Sequence, residues 1–198
     1  MLKKIVNKAV DKFLEMGIID SERRVIYEYG LEQGVILILN ILTVLVIGIV
    51  SGEVLISITF MVVYIPLRTY AGGYHAKKLI SCYLISVGIA IGAIVLVQRV
   101  EGITFWTGIP FALIIYALAP VEAAQKKLNK KQKEHYKRKV GGILLILLLV
   151  CIGNYFVNIR YISETIVVAE SVVCVAEIVG YFTNKIQLNQ NMAQESND

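Results

Sequence analysis

The chain has 198 residues, 57% of them apolar, and a mean hydropathy of +0.67, against roughly 45–50% apolar residues in ordinary soluble domains. A soluble core of this length calls for amphipathic helices or alternating strands, whereas these residues run in long stretches that are apolar on every side. That excludes a soluble globular domain and places the stretches in lipid. The net charge of +5 therefore reports membrane orientation rather than nucleic-acid binding, and the odd set Cys82, Cys151 and Cys174, each in or beside an apolar stretch, argues against a disulfide framework.

In chain order, residues 1–32 form an amphipathic segment. Leu2, Ile5, Val6, Ala9, Val10, Phe13 and Leu14 share one helical face, with Lys3, Lys4, Lys8, Asp11, Lys12 and Glu15 largely elsewhere. The charges interrupt any apolar core, so a cleaved signal peptide is not expected. The segment reads as a helix lying on the inner leaflet or packed on the cytosolic face of the bundle, and the sequence leaves both open.

Six apolar spans follow, at 34–50, 54–67, 79–98, 103–119, 140–157 and 161–182. Most approach the length a helix needs to cross about 30 Å of hydrocarbon, and the second is short. With a cytosolic amino terminus, 18 of the 20 Lys and Arg fall on inside segments and only Arg99 and Arg160 outside, so the positive-inside rule selects that orientation. The Lys-rich stretch 125–139 is read as a topology anchor rather than a nucleic-acid or lipid site. The tail 185–198 is polar and expected to be disordered. The expected fold is all-α: one membrane domain over 1–184, about six spans and both termini cytosolic.

The connector between the second and third spans departs from a plain loop. It reads Pro66-Leu67-Arg68-Thr69-Tyr70-Ala71-Gly72-Gly73-Tyr74-His75-Ala76-Lys77-Lys78, with Cys82 just inside the third span. Pro66 is expected to end or kink the second span, and Gly72-Gly73 permits close backbone approaches that a side chain would block. His75 and Cys82 lie seven residues apart. They share a face if the third helix begins near His75, about 10 Å apart along the axis, and a tighter turn would bring them closer. A cysteine thiolate is a nucleophile, and a neighbouring imidazole that takes its proton makes it more reactive. The plainer reading is a solvated histidine and a small apolar filler. A zinc site would need His135, Cys151 or Cys174 to complete it, so no metal or other cofactor is expected.

The run Arg68-x-x-Ala71-Gly72-Gly73-x-His75-Ala76, with Cys82 seven positions after the histidine, resembles the accessory gene regulator B (AgrB) family. These are bacterial membrane endopeptidases that process a quorum-sensing propeptide, and the resemblance in size, hydropathy and topology covers nearly the whole chain. It implies that Cys82 is the nucleophile and His75 its general base and acid, with Arg68, Gly72 and Gly73 supporting the site. It also implies an AgrD-like propeptide substrate, a thioester acyl-enzyme, closure of a thiolactone or lactone ring, and a homodimer in the membrane with the site on the cytoplasmic side. Ala119-Pro120-Val121 ends span four much as family members do, whereas the family's Asn-Lys-Pro type turn is replaced here by Lys126-Lys127-Leu128-Asn129-Lys130-Lys131.

Oxyanion donors are sought in the backbone N–H groups of residues 72–74, with Arg68 compensating charge. Glu170 and Glu177 lie on one face of span six, where acids are costly to bury. Glu177 is read as orienting His75 or pairing with Arg68, or else as a helix–helix contact. The competing classes are a peptide exporter, which the lack of an inverted repeat disfavours, and a non-enzymatic scaffold that docks partners.

Overall fold

A backbone in hydrocarbon must satisfy its N–H and C=O groups internally, which the apolar runs do as helices. The computed structural model describes residues 2–73, 79–100, 103–121, 129–157, 159 and 161–195. Its helices are α1 (Leu2–Glu15), α2 (Arg24–Ser51), α3 (Val54–Ala71), α4 (Leu79–Arg99), α5 (Phe105–Leu118), α6 (Lys130–Val157) and α7 (Ile162–Glu195). Among the described residues there is no strand, only an isolated bridge between Gly72 and Val121.

Five helices are long and apolar enough to cross a membrane: α2, α3, α4, α6 and α7. The span expected at 103–119 contains only the 14-residue α5, about 21 Å at 1.5 Å per residue. The shortening has local causes. Thr104 is extended, and Pro120 drives Ala119 to φ −66°, ψ 142°, outside the helical region. Pro66 does not end the second span, the first of the two outcomes expected of it. It lies inside α3, which continues to Ala71, so Arg68, Thr69, Tyr70 and Ala71 are helical. The lost N–H of a proline is tolerated where neighbouring helices re-satisfy the backbone. The tail expected to be disordered continues α7 as helix through Glu195.

Glycines set the turns. α1 ends at Gly17 (φ 66°), where Ile18 N–H donates to Phe13 O and Gly17 N–H to Leu14 O. α2 ends in the same way at Gly52 (φ 75°), with Glu53 N–H donating to Gly48 O and Gly52 N–H to Ile49 O. This is the Schellman closure, which caps the last carbonyls and reverses the chain within two residues. The α2–α3 hairpin is tightened by Gly48, where a Cβ would lie 2.4 Å from Ser57 Oγ. Small residues at such crossings let helices approach closely in lipid.

The first helix meets protein rather than lipid alone. Val6 and Val10 are buried with Ile19, and Phe13, Leu14 and Leu31 pack against them. Asp11 pairs with Arg24 at 2.7 Å, and Arg24 with Glu28 at 2.8 Å. Of the two partners the sequence left open for this face, the start of α2 takes the inner part.

The core is built around α7, whose apolar stretch is the most buried of the five. Its main neighbours are α5 and α3. α3 turns Ile56, Phe60, Val63, Leu67 and Ala71 inward at helical spacing, against Ile166, Ala169 and Val173 among others. Side chains such as Leu145, Ile146, Leu149 and Val62 face outward, as lipid-facing positions do.

Candidate active site

The end of α3 is built to bring backbone close to backbone. Gly72 and Gly73 have φ values of 82° and 111°, in the region that favours glycine. Val121 N–H donates to Ala71 O at 2.8 Å, and Gly73 N–H donates to Val121 O at 3.4 Å. A Cβ on Gly72 would lie 2.0 Å from Val121 O, and one on Gly73 would lie 2.5 Å from Arg68 Nη1 and 2.7 Å from Ala176 O. The two glycines are therefore wedged between the segment after α5 and the face of α7. Their amides are engaged, since Gly72 N–H also donates to Arg68 O at 3.1 Å. That removes two of the three N–H groups the sequence offered as oxyanion donors. The third, on Tyr74, lies outside the described residues.

Arg68 stands one turn before the glycines. Its guanidinium interacts electrostatically with Tyr64, Cys82 and Glu177, so a single cation links α3, α4 and α7. Glu177 is fully buried, and neither carboxylate oxygen has a hydrogen-bond partner among the described residues. Glu177 lies within electrostatic range of Arg68, in keeping with one of the three readings considered for it. His75 lies outside the described residues, so its place relative to Glu177 and Cys82 does not enter the geometry.

Cys82 is a free, partly buried thiol in the first turn of α4. Arg68 brings a positive charge within electrostatic range of the sulfur, against the desolvation that burial imposes on it. The helix begins at Leu79, so the two-turn geometry conditional on a start near His75 falls on residues 74–78, also outside the described set.

Cys82 and Arg68 open onto a cavity of about 490 Å³ between α2, α3, α4 and α7, lined mainly by apolar side chains such as Ile36, Val44, Phe60, Ile85 and Val175. Tyr64 and Asn40 also line it and were not singled out from the sequence. Tyr64 sits one helical turn before Arg68, a spacing that puts the two side chains on one face. Asn40 interrupts the otherwise apolar run of α2.

The other singled-out residues lie elsewhere. Glu170 is buried against α5, where a Cβ on Gly108 would sit 2.9 Å from its Oε2. It is about 10 Å along α7 from Glu177 and belongs to helix packing. Cys151 and Cys174 are buried and free. The described part of the Lys-rich stretch forms the start of α6, where Asn129 N–H donates to Gln132 Oε1 at 2.9 Å. Tyr136 meets Tyr70 edge-on at 5.5 Å, so the basic end of α6 lies beside the end of α3 that carries Arg68. No group of three or more potential metal ligands occurs among the described residues.

Comparison with known proteins matches residues 2–191 to the family described as Accessory gene regulator B. An AgrB-like protein of Clostridium perfringens strain SM101 is 27% identical over 160 residues, covering 74% of this chain and 71% of its own length. A second, from C. perfringens strain 13, is 28% identical over 138 residues, covering 65% and 64%. An AgrB-like protein of Listeria welshimeri is 30% identical over 132 residues, covering 64% and 65%. No solved structure matches the chain.

Proposed function

Because the chain belongs to the accessory gene regulator B family and acts in the accessory gene regulator system, we propose that it is a cysteine endopeptidase that cleaves and cyclises an AgrD-like propeptide within the membrane. The observation that carries the reading is that Cys82 and Arg68 line one largely apolar cavity, with Gly73 packed against Arg68 and Glu177 within electrostatic range of it.

Cys82 Sγ, as thiolate, attacks the scissile carbonyl and His75 holds the proton taken from it. When the tetrahedral intermediate collapses, the C–N bond breaks, the leaving amine takes the proton from His75, and the acyl part stays on sulfur as a thioester. A thiol or hydroxyl within the bound peptide then attacks the thioester carbonyl and expels Cys82, closing a thiolactone or lactone. The exchange keeps the acyl bond activated only if water is excluded, and the apolar walls of the cavity serve that end.

Arg68 compensates negative charge on the sulfur and on the oxyanion. Glu177 attracts the guanidinium from the α7 side, and the Gly72-Gly73 wedge sets the spacing between α3 and α7. The concentration of Lys and Arg on the segments flanking this end supports a cytoplasmic site with both termini on that side. The outward apolar faces support lipid contact and a homodimer.

The reading is tested on purified protein in lipid vesicles supplied with propeptide. Mass analysis should find an N-terminal product one water lighter than the linear fragment, appearing together with the released C-terminal part. A linear product alone would mean hydrolysis without cyclisation, and no cleavage with translocation of intact peptide would mean an exporter. Glu177→Gln should slow processing roughly tenfold while the folded protein persists, through the lost charge contact with Arg68. Full processing by that variant would remove Glu177 from the site.

A further inference from the structure

Beside Arg68 and Cys82, the cavity is lined by the polar side chains of Gln33, Asn40, Tyr64, Thr69, Ser86 and Ser171. Three hydroxyls are satisfied by their own helices: Thr69 Oγ1 donates to Ile65 O at 2.7 Å, Ser86 Oγ to Cys82 O at 3.0 Å and Ser171 Oγ to Val168 O at 2.7 Å. Such back-bonded hydroxyls present mostly their apolar side to a ligand. Asn40 is different. It lines the same cavity from α2, and its Oδ1 is buried with no hydrogen-bond partner among the described residues.

The placement of Asn40 is not accidental to the site. Thr43, one turn further along α2, shares a 2.8 Å hydrogen bond with Tyr83, the residue after Cys82. This bond ties the Asn40 stretch of α2 to the first turn of α4. The neighbours of Asn40 on the same face, Ile36, Leu37, Ile41 and Val44, are apolar and also line the cavity. A carboxamide among them, in an apolar run, carries a desolvation cost that a partner would relieve. Its terminal torsion is soft, so either end of the amide can turn toward an occupant.

We infer that Asn40 is a substrate-positioning residue: its side-chain amide bonds the backbone of an extended peptide segment whose apolar side chains fill the cavity beside Cys82. The inference rests on the function proposed above and adds the subsite. A carboxamide offers one acceptor and two donors, the complement of a peptide unit's N–H and C=O, and the surrounding walls suit apolar rather than charged side chains. Binding energy gained there would hold the scissile carbonyl near the sulfur.

Asn40→Leu removes the amide at similar size, and Asn40→Asp keeps the acceptor. In vesicles with propeptide, Asn40→Leu should raise KM about tenfold, equivalent to about 1.4 kcal/mol, with kcat little changed, and Asn40→Asp should recover part of the loss. Without peptide, the thermal midpoint of Asn40→Leu should equal or exceed that of wild type, because no native hydrogen bond is lost. An unchanged KM would overturn the inference, as would a lowered midpoint, which would make Asn40 structural.

Binding of fluorescently labelled propeptide to Cys82→Ala, with and without Asn40→Leu, separates the two levels of the account. If Cys82→Ala still processes peptide, the proposed chemistry fails while the tenfold binding difference still reads Asn40. If Cys82 is required and the two proteins bind alike, the Asn40 subsite fails alone.

Discussion

Cys82→Ala is expected to lower propeptide processing by roughly a thousandfold or more, the scale on which loss of a covalent nucleophile acts. The loss should appear in kcat rather than in peptide binding, because the sulfur contributes one contact in a cavity of about 490 Å³. Cys151→Ala and Cys174→Ala serve as controls. Both thiols are buried and free and neither lines the cavity, so their removal should leave processing within a few-fold of wild type. Time courses of propeptide conversion in vesicles, read by mass, check all three. Wild-type processing by Cys82→Ala would remove the nucleophile and favour a scaffold or exporter.

The second large effect is expected at Gly73. An alanine there places its Cβ 2.5 Å from Arg68 Nη1 and 2.7 Å from Ala176 O, at a φ of 111°. The strained backbone alone costs about 1–3 kcal/mol. The contact with the Ala176 carbonyl is the harder one to relieve, because it is helix backbone. Either α7 moves outward, carrying Glu177 with it, or the guanidinium of Arg68 is displaced from Cys82. Processing by Gly73→Ala should fall at least about tenfold, with a lower thermal midpoint in detergent. Gly88→Ala and Gly92→Ala are the matched comparisons, since a Cβ at either meets no atom within 4 Å. Normal kinetics and stability for Gly73→Ala would mean that the wedge plays no part in the site.

The spans were legible because lipid leaves the backbone few choices. An apolar run such as that of α2, α4 or α6 has to be helical, and its length and flanking charge can be read directly. Where the reading missed, a local rule was overruled or overlooked. Pro66 is a helix-ender in isolation, but α3 continues past it to Ala71. In the fourth span the apolar run was followed to Ala119, although Pro120 already ended the helix one residue earlier.

The candidate site was legible as a set of residue types, and the packing around it was not. Arg68, Gly72, Gly73 and Cys82 stand out as an unusual cluster in one connector, and Glu177 stands out as an acid in an apolar helix. Nothing in the spacing announces that Gly73 abuts Ala176 some hundred residues later, or that Val121 pairs with Gly72. Those contacts depend on how α5 and α7 pack against α3. The cavity is invisible for the same reason, because four helices contribute to it and no one of them encodes it. Asn40 did leave a signal, a carboxamide in an apolar run, but its meaning depends on which side of α2 faces the cavity.

The most direct measurement is intact-mass analysis of the protein, acid-quenched during turnover with propeptide. The account predicts a transient adduct equal to the acyl fragment, located on Cys82, released by hydroxylamine and absent from Cys82→Ala. Steady conversion of propeptide with no adduct at any time, or an adduct mapped to Cys151 or Cys174, would contradict it.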